Sequence, residues 1–255
     1  MAMSLNAAVV VATVILMTTA FALLLLMAAR KRAAKEEELK RAASTRGWQF
    51  ASTTDRGYRV HRWSGTTDGL PWRAESLHYT SGNHRQRRPN ITRWHADSSP
   101  GINAPVLCMA VPKGKELHST AMTSSDSFLG KMAQKAVGFA FDKAVDGYFG
   151  VELGKQVDAG AMHRVETKLP GFIVMATNKD DGGRLLTQGF EQALTAATHD
   201  PNSIFSNEAR PWILLRPNGL SLARTEQFRD INEIDGFIRA GVALTRSSKF
   251  ARPFA

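Results

Sequence analysis

Disulfides have almost nothing to build on in this chain: its 255 residues include one cysteine, Cys108. That excludes an intramolecular disulfide framework and any zinc centre made of paired thiolates. Acidic residues are also short, 23 against 33 lysines and arginines, for a formal charge of +10. Chemical motifs are missing as well. There is no G-x-x-x-x-G-K-[ST] phosphate loop, no dinucleotide fingerprint around Gly182-Gly183, no G-x-S-x-G elbow, and no H-x-H or H-E-x-x-H spacing. His163, Asp158 and Glu166 lie close in sequence, but an acyl-transfer triad is defined by geometry, which sequence proximity does not supply. No catalytic residue, metal site or cofactor is therefore assigned, and a binding or scaffold role is favoured over an enzymatic one. With 43% hydrophobic side chains and only 10 prolines, the chain is neither disordered nor collagen-like.

Charge, Gly and Pro are absent from Ala7 to Ala29, a run of Ala, Val, Leu, Ile, Met, Thr and Phe that exceeds the roughly 20 apolar residues needed to cross a bilayer. A cleaved signal carries basic residues before a shorter apolar run. Here no Lys or Arg precedes the run, and Arg30, Lys31 and Arg32 follow it at once. The expectation is a single-pass signal-anchor in the inner or plasma membrane, residues 7–29, with 1–6 outside. Seven basic residues between Arg30 and Arg46 place the remainder in the cytoplasm by the positive-inside rule. Glu36 with Lys40 and Glu37 with Arg41 are spaced i,i+4 in the favourable order, so residues 30–46 read as a charged helical stalk. Arg30, Lys31 and Arg32 form the membrane-proximal basic cluster, suited to anionic lipid.

Residues 47–255 are expected to form a cytosolic α+β domain, an antiparallel sheet with helices packed on one face. It can be divided into subdomains 47–118 and 151–255 joined by a helix over 126–149. Short aromatic and β-branched runs predict strands at Trp48–Ala51, Tyr58–Ser64, Trp72–Thr80, Ile91–Asp97 and Val106–Val111. They read as one meander, with hairpin loops at Gly65–Gly69 and Ser81–Asn90. Apolar residues at spacings of three and four between Phe128 and Phe149 predict an amphipathic helix whose stripe is core, or else a partner or bilayer face. Val151–Thr167 reads as a strand with its approach loop, Phe172–Thr177 as a strand and Gly183–Thr198 as a helix. A hairpin follows about Pro217-Asn218-Gly219, and an amphipathic helix from Ile231 closes the chain.

The membrane helix, the charged stalk, Arg46-Gly47-Trp48, the strand run, and then the order from Val151 through the helix at Leu185 to the hairpin Trp212–Ala223 and the last helix resemble a group of uncharacterised bacterial membrane-anchored domains. The layout is DUF3137-like. The resemblance implies a fold and a location and carries no functional residue.

Excess positive charge is concentrated. Arg56 to His95 holds eight arginines and two acids, net +6, interleaved with Tyr58, Trp63, Trp72, Tyr79 and Trp94. Guanidinium forks suit phosphates, so Arg85, Arg87, Arg88 and Arg93 are the candidate anion-binding residues. Partners in view are the lipid bilayer, anionic lipid headgroups and an unidentified membrane or cytosolic protein. Nucleic acid is disfavoured because no recognised nucleic-acid module is present. An alternative is a membrane-tethered enzyme on a phosphorylated or lipid substrate, with these arginines as clamps and His95 as acid or base. If Trp72–Thr80 pairs with Ile91–Asp97, His78 and His95 would lie near each other across the ladder with Glu75 and Asp97 nearby, but without H-x-H or H-E-x-x-H spacing they read as polar histidines on the wet face of a hairpin, and no metal is assigned. If the Lys/Arg asymmetry sets orientation, a reporter active only in the cytoplasm will work when fused after Ala255, and one active only outside will not.

Overall fold

The computed structural model describes residues 5–55, 57–79, 90–110, 141–167, 171–186, 188–199, 211–225, 228 and 230–249. The chain divides into two compact units, Met1–Gly47 and Trp48–Ala255.

The first unit is one helix, α1 (Leu5–Thr45, 41 residues), about 60 Å long at 1.5 Å per residue. From Val14 to Met27 its large apolar side chains lie open, with Leu16 73% exposed. By length and composition the helix is able to cross a membrane. Two of its hydroxyls would suit that medium: Thr18 Oγ1 donates to the Val14 and Ile15 carbonyls and Thr19 Oγ1 to Ile15, at 2.7–3.0 Å, so both protons are paired within the helix. Helix continues through the basic segment, where Arg30, Lys31 and Arg32 are exposed and Glu37 pairs with Arg41 at 3.5 Å. It ends where Gly47 takes φ 71°, the left-handed conformation that glycine adopts without steric cost.

The second unit is α+β. Nine antiparallel strands, β1 (Gln49–Asp55), β2 (Tyr58–Thr67), β3 (Leu70–Tyr79), β4 (Ile91–Ala96), β5 (Val106–Ala110), β6 (His163–Val165), β7 (Phe172–Ala176), β8 (Trp212–Arg216) and β9 (Gly219–Arg224), form one sheet. Its order is β1-β2-β3-β4-β9-β8-β5-β7-β6. Both 47–118 and 151–255 supply strands to it. The expected meander holds for β1 to β4, but β5 is not its next strand: the β8–β9 hairpin lies between β4 and β5. Local pattern identifies strands and is silent about such long-range pairing. The Gly65–Gly69 loop is also tighter than expected. Strand pairing continues to Thr67↔Leu70, leaving Asp68 and Gly69 at φ 49° and 77°, the two positive angles of a type I′ hairpin.

One face of the sheet holds the main core. Trp63, Trp94, Leu222, Ile213, Cys108 and Val174 occupy one register row and are almost wholly buried. Helix α6 (Ile231–Lys249) lies on this face, started by Asp230, whose Oδ1 accepts from the Asn232 and Glu233 amides. A ring ladder of Trp63, Phe228 and Phe237 ties α6 to β2. The helix expected over Gly183–Thr198 is two, α4 (Lys179–Leu185) and α5 (Gln188–His199). Asn178 caps the first by accepting from the Asp180 amide, and Leu186 leaves helical geometry at ψ 49°.

The opposite face is covered in part by helical residues 141–149 (α2) and by α3 (Val151–Gly154). Val145 and Phe149 are buried with Leu107, Met175, Leu214 and Ala223, and Tyr148 stacks on Trp212 at 4.3 Å. The stripe is therefore core over 141–149, and residues 128–140 lie outside the described residues. Val151–Thr167 begins as helix and enters a strand only at His163.

Gly241 is where α6 crosses β4: a Cβ there would overlap the Trp94 ring. Because two packed elements would have to separate, Gly241→Val is expected to destabilise the protein by about 1–3 kcal/mol. A fall of several degrees in the melting temperature of the full chain in detergent would show it.

Candidate functional site

Strand β4 reads Arg93-Trp94-His95, and alternation decides its geometry. Trp94 is buried beneath α6, so Arg93 and His95 point to the other face. Register extends two rows there: Arg62, Glu75, Arg93 and Ala223 in one, and Ser64, Arg73, His95 and Ser221 in the next. These rows floor an open-sided groove of about 1000 Å³. One wall is β1 at Gln49–Ala51, and the other is the turn from Phe149 to Lys155.

Arg93 builds the second wall. Its Nε donates to the Tyr148 carbonyl at 2.6 Å and Nη2 to the Gly147 carbonyl at 2.9 Å, capping the last carbonyls of α2. Its Nη1 meets Glu75 at 3.0 Å, while Arg62 reaches the other oxygen of that carboxylate at 3.6 Å. Gly150, at φ 93°, carries the chain over this guanidinium. Arg93 thus positions the groove. Arg85, Arg87 and Arg88 lie outside the described residues.

The second row holds a connected set of polar groups. His95 Nε2 meets Asp97 Oδ1 at 2.6 Å, and its Nδ1 meets Ser221 Oγ at 2.9 Å. Arg216, 2% exposed, brings Nη2 to 3.2 Å from the same Nδ1 and donates Nη1 to Gln156. Arg73 bonds Asp97 at 3.4 Å. A guanidinium only donates, so Nδ1 bears the lone pair and Nε2 the proton directed at Asp97. Gly219 permits the arrangement: a Cβ there would lie 2.5 Å from the Ala96 carbonyl oxygen and 3.2 Å from Arg216 Nη2.

Burial lowers the His95 pKa below 6.5. The Asp97 hydrogen bond and charge oppose that shift, and Arg216 and Arg73 add to it. Burial raises Asp97, but its hydrogen bond to His95 and the charges of His95, Arg73 and Arg216 bring it below 3.8 on balance. At neutral pH the pair is therefore neutral imidazole and carboxylate. Cys108 takes no part, because full burial pushes its thiol up to about 12.

His78 and His95 do not approach each other across the ladder. Arg73, not His78, is opposite His95, and 73 and 78 differ in parity, so the two imidazoles are on opposite faces. His78 lies by His61 instead, ring centroids 5.0 Å apart. Among the described residues no group of three or more His, Cys, Asp and Glu is arranged to hold a metal. Sequence reasoning overlooked Ser221, Arg216 and Lys155 as site residues. A signal for Ser221 existed, since it is the one hydroxyl in the apolar run Leu220-Ser221-Leu222-Ala223.

The depressed His95 pKa fixes a sign for pH dependence. The unfolded chain protonates this imidazole near 6.5, while the folded chain resists until a lower pH, so stability falls as pH drops below 6.5 and is level above it. Asp97 acts in the same sense further down, its contribution being present above 3.8 and lost below. Thermal unfolding of the full chain between pH 5 and 8 is expected to show a slope below 6.5 that His95→Gln flattens.

Comparison of the chain with family models, with curated proteins and with solved structures finds no match.

Proposed function

We propose that this protein is a single-pass, membrane-anchored binding domain whose groove takes an anionic amphiphile, a molecule with a phosphate or carboxylate head and an apolar body. One observation carries the reading: the groove joins a cationic rim to an apolar wall. Arg62, Arg73, Arg93 and Lys155 line it against two carboxylates, Glu75 and Glu152. Beside them Val151 and Leu153 present apolar surface, with Val151 56% exposed. A cleft with an apolar lining and a few convergent polar groups is the usual form of a small-molecule site. Anchorage supports the choice of ligand. From Arg30 to Thr45 the stalk measures about 24 Å at 1.5 Å per residue, and three residues then lead to Gln49. A domain so tethered meets lipid headgroups continually. The Lys/Arg asymmetry favours the cytoplasmic leaflet, and the DUF3137-like order of elements accords with a membrane-anchored bacterial domain.

Titration of the full chain, held in a non-ionic amphipol, with dihexanoyl-phosphatidylglycerol and dihexanoyl-phosphatidylcholine tests this. The anionic lipid is expected to bind at least tenfold more tightly. Arg73→Ser combined with Lys155→Ser removes two rim charges at on the order of 1 kcal/mol each, and is expected to weaken binding more than tenfold. Equal affinity for both lipids would overturn the anionic reading.

A further inference from the structure

We propose that Ser221, His95 and Asp97 form a proton relay that makes the groove an acyl-transfer site, with Ser221 as nucleophile on carboxylic esters of anionic amphiphiles. The inference rests on the groove reading above and adds a reaction to it.

Its basis is a chain of contacts that binding alone does not call for. The Ser221 hydroxyl lies 2.9 Å from the unprotonated Nδ1 of His95, and the opposite nitrogen lies 2.6 Å from the Asp97 carboxylate. A nucleophile, a base within hydrogen-bond reach and a third group orienting the base are the parts of an activated serine. The ring is used with its nitrogens exchanged relative to the usual arrangement, Nδ1 toward serine, which leaves the proton path intact. Two segments far apart in sequence supply the parts. His95 and Asp97 are two residues apart on one strand edge, whereas Ser221 comes from β9 by direct cross-strand pairing, His95↔Ser221. Although its residue is only 2% exposed, Ser221 belongs to the groove lining together with His95.

Arg216 gives the set a further property. It is buried and within 3.2 Å of Nδ1, and its Nε is a buried donor with no hydrogen-bond partner among the described residues. A buried cation at this point opposes protonation of the resting imidazole and so holds it in the unprotonated form that a general base needs. The lowered His95 pKa agrees with a base that is neutral at pH 7.

The reaction balances without a co-reactant other than water. Ser221 Oγ bonds to the ester carbonyl carbon as its proton passes to His95 Nδ1. Collapse of the tetrahedral adduct breaks the carbon–oxygen bond of the leaving alcohol, which takes that proton. Water then attacks the acyl-serine, His95 accepts and returns a proton, and the carboxylic acid departs with Ser221 restored. Asp97 holds the imidazole throughout and stabilises its cationic form. The apolar wall at Val151 and Leu153 would seat the acyl chain, and Arg73 and Lys155 the anionic head.

The test uses the full chain in a non-ionic amphipol and two probes: a fluorophosphonate, which phosphonylates activated serines, and dihexanoyl-phosphatidylglycerol, with hexanoate release followed. Labelling is expected at Ser221 alone, located by peptide mass spectrometry, and hexanoate release is expected to fall at least 100-fold in Ser221→Ala and in His95→Gln. Wild-type rate should hold from pH 8 to below 6.5 and decline only as His95 takes up a proton, a profile that a structural serine would not produce. Lipid that binds the wild type while hexanoate release and labelling are both absent would overturn the relay and leave the binding reading standing. Lipid that fails to bind would overturn the binding reading itself. Labelling of a different serine, or undiminished hydrolysis by a folded Ser221→Ala protein, would also refute the assignment. Melting curves of each variant separate loss of the relay from loss of fold.

Discussion

Burial of Trp94 under α6 is the constraint on which the rest of the second unit depends. Its ring needs the space left by Gly241, and no other face of β4 offers it. Because strand side chains alternate, fixing Trp94 on one face sends Arg93 and His95 to the other. The sheet thereby acquires a dry face, occupied by α4, α5 and α6, and a second face that is apolar beneath α2 and polar across β2, β3 and β4. A one-residue slip in β4 would exchange the two sets and place the Arg93 cation and the polar His95 ring under α6.

Arg93 then converts a flat polar face into a groove. An exposed arginine on a sheet would be a solvated charge of little energetic consequence. Here it is partly buried, with donors on Glu75 and on the terminal carbonyls of α2. These charge-assisted bonds are stronger than neutral ones. They hold the end of α2 beside β4 and so set the wall formed by residues 149–155. Glu75 bridges Arg62 and Arg93, which lets two guanidiniums occupy one row without unbalanced repulsion. The same cation that the sequence suggests as a ligand for external phosphate is in the fold the ligand of a helix end.

The helix α1 obeys simpler physics. From Val14 to Met27 its large apolar side chains stand open, and the Thr18 and Thr19 hydroxyls turn back on its own carbonyls. That description is local to the helix. For that reason the segment could be read directly from sequence.

The sequence by itself determined the elements governed by nearest neighbours and short periods. These are the apolar helix and its basic flank, nearly every strand of the second unit, the Pro217-Asn218-Gly219 hairpin and the last helix. Helix limits were less secure, because caps such as Asn178 and a single backbone angle at Leu186 set them. Only tertiary structure decided which strands meet. Insertion of β8–β9 between β4 and β5 pairs residues more than 120 positions apart, such as His95 with Ser221, and loop-closure entropy of that kind leaves no periodic trace along the chain. Parity did the rest. His78 stands five positions along β3 from Arg73, the residue opposite His95, and so on the other face, while Ser221, unremarked in an apolar run, was carried to the imidazole that its hydroxyl touches.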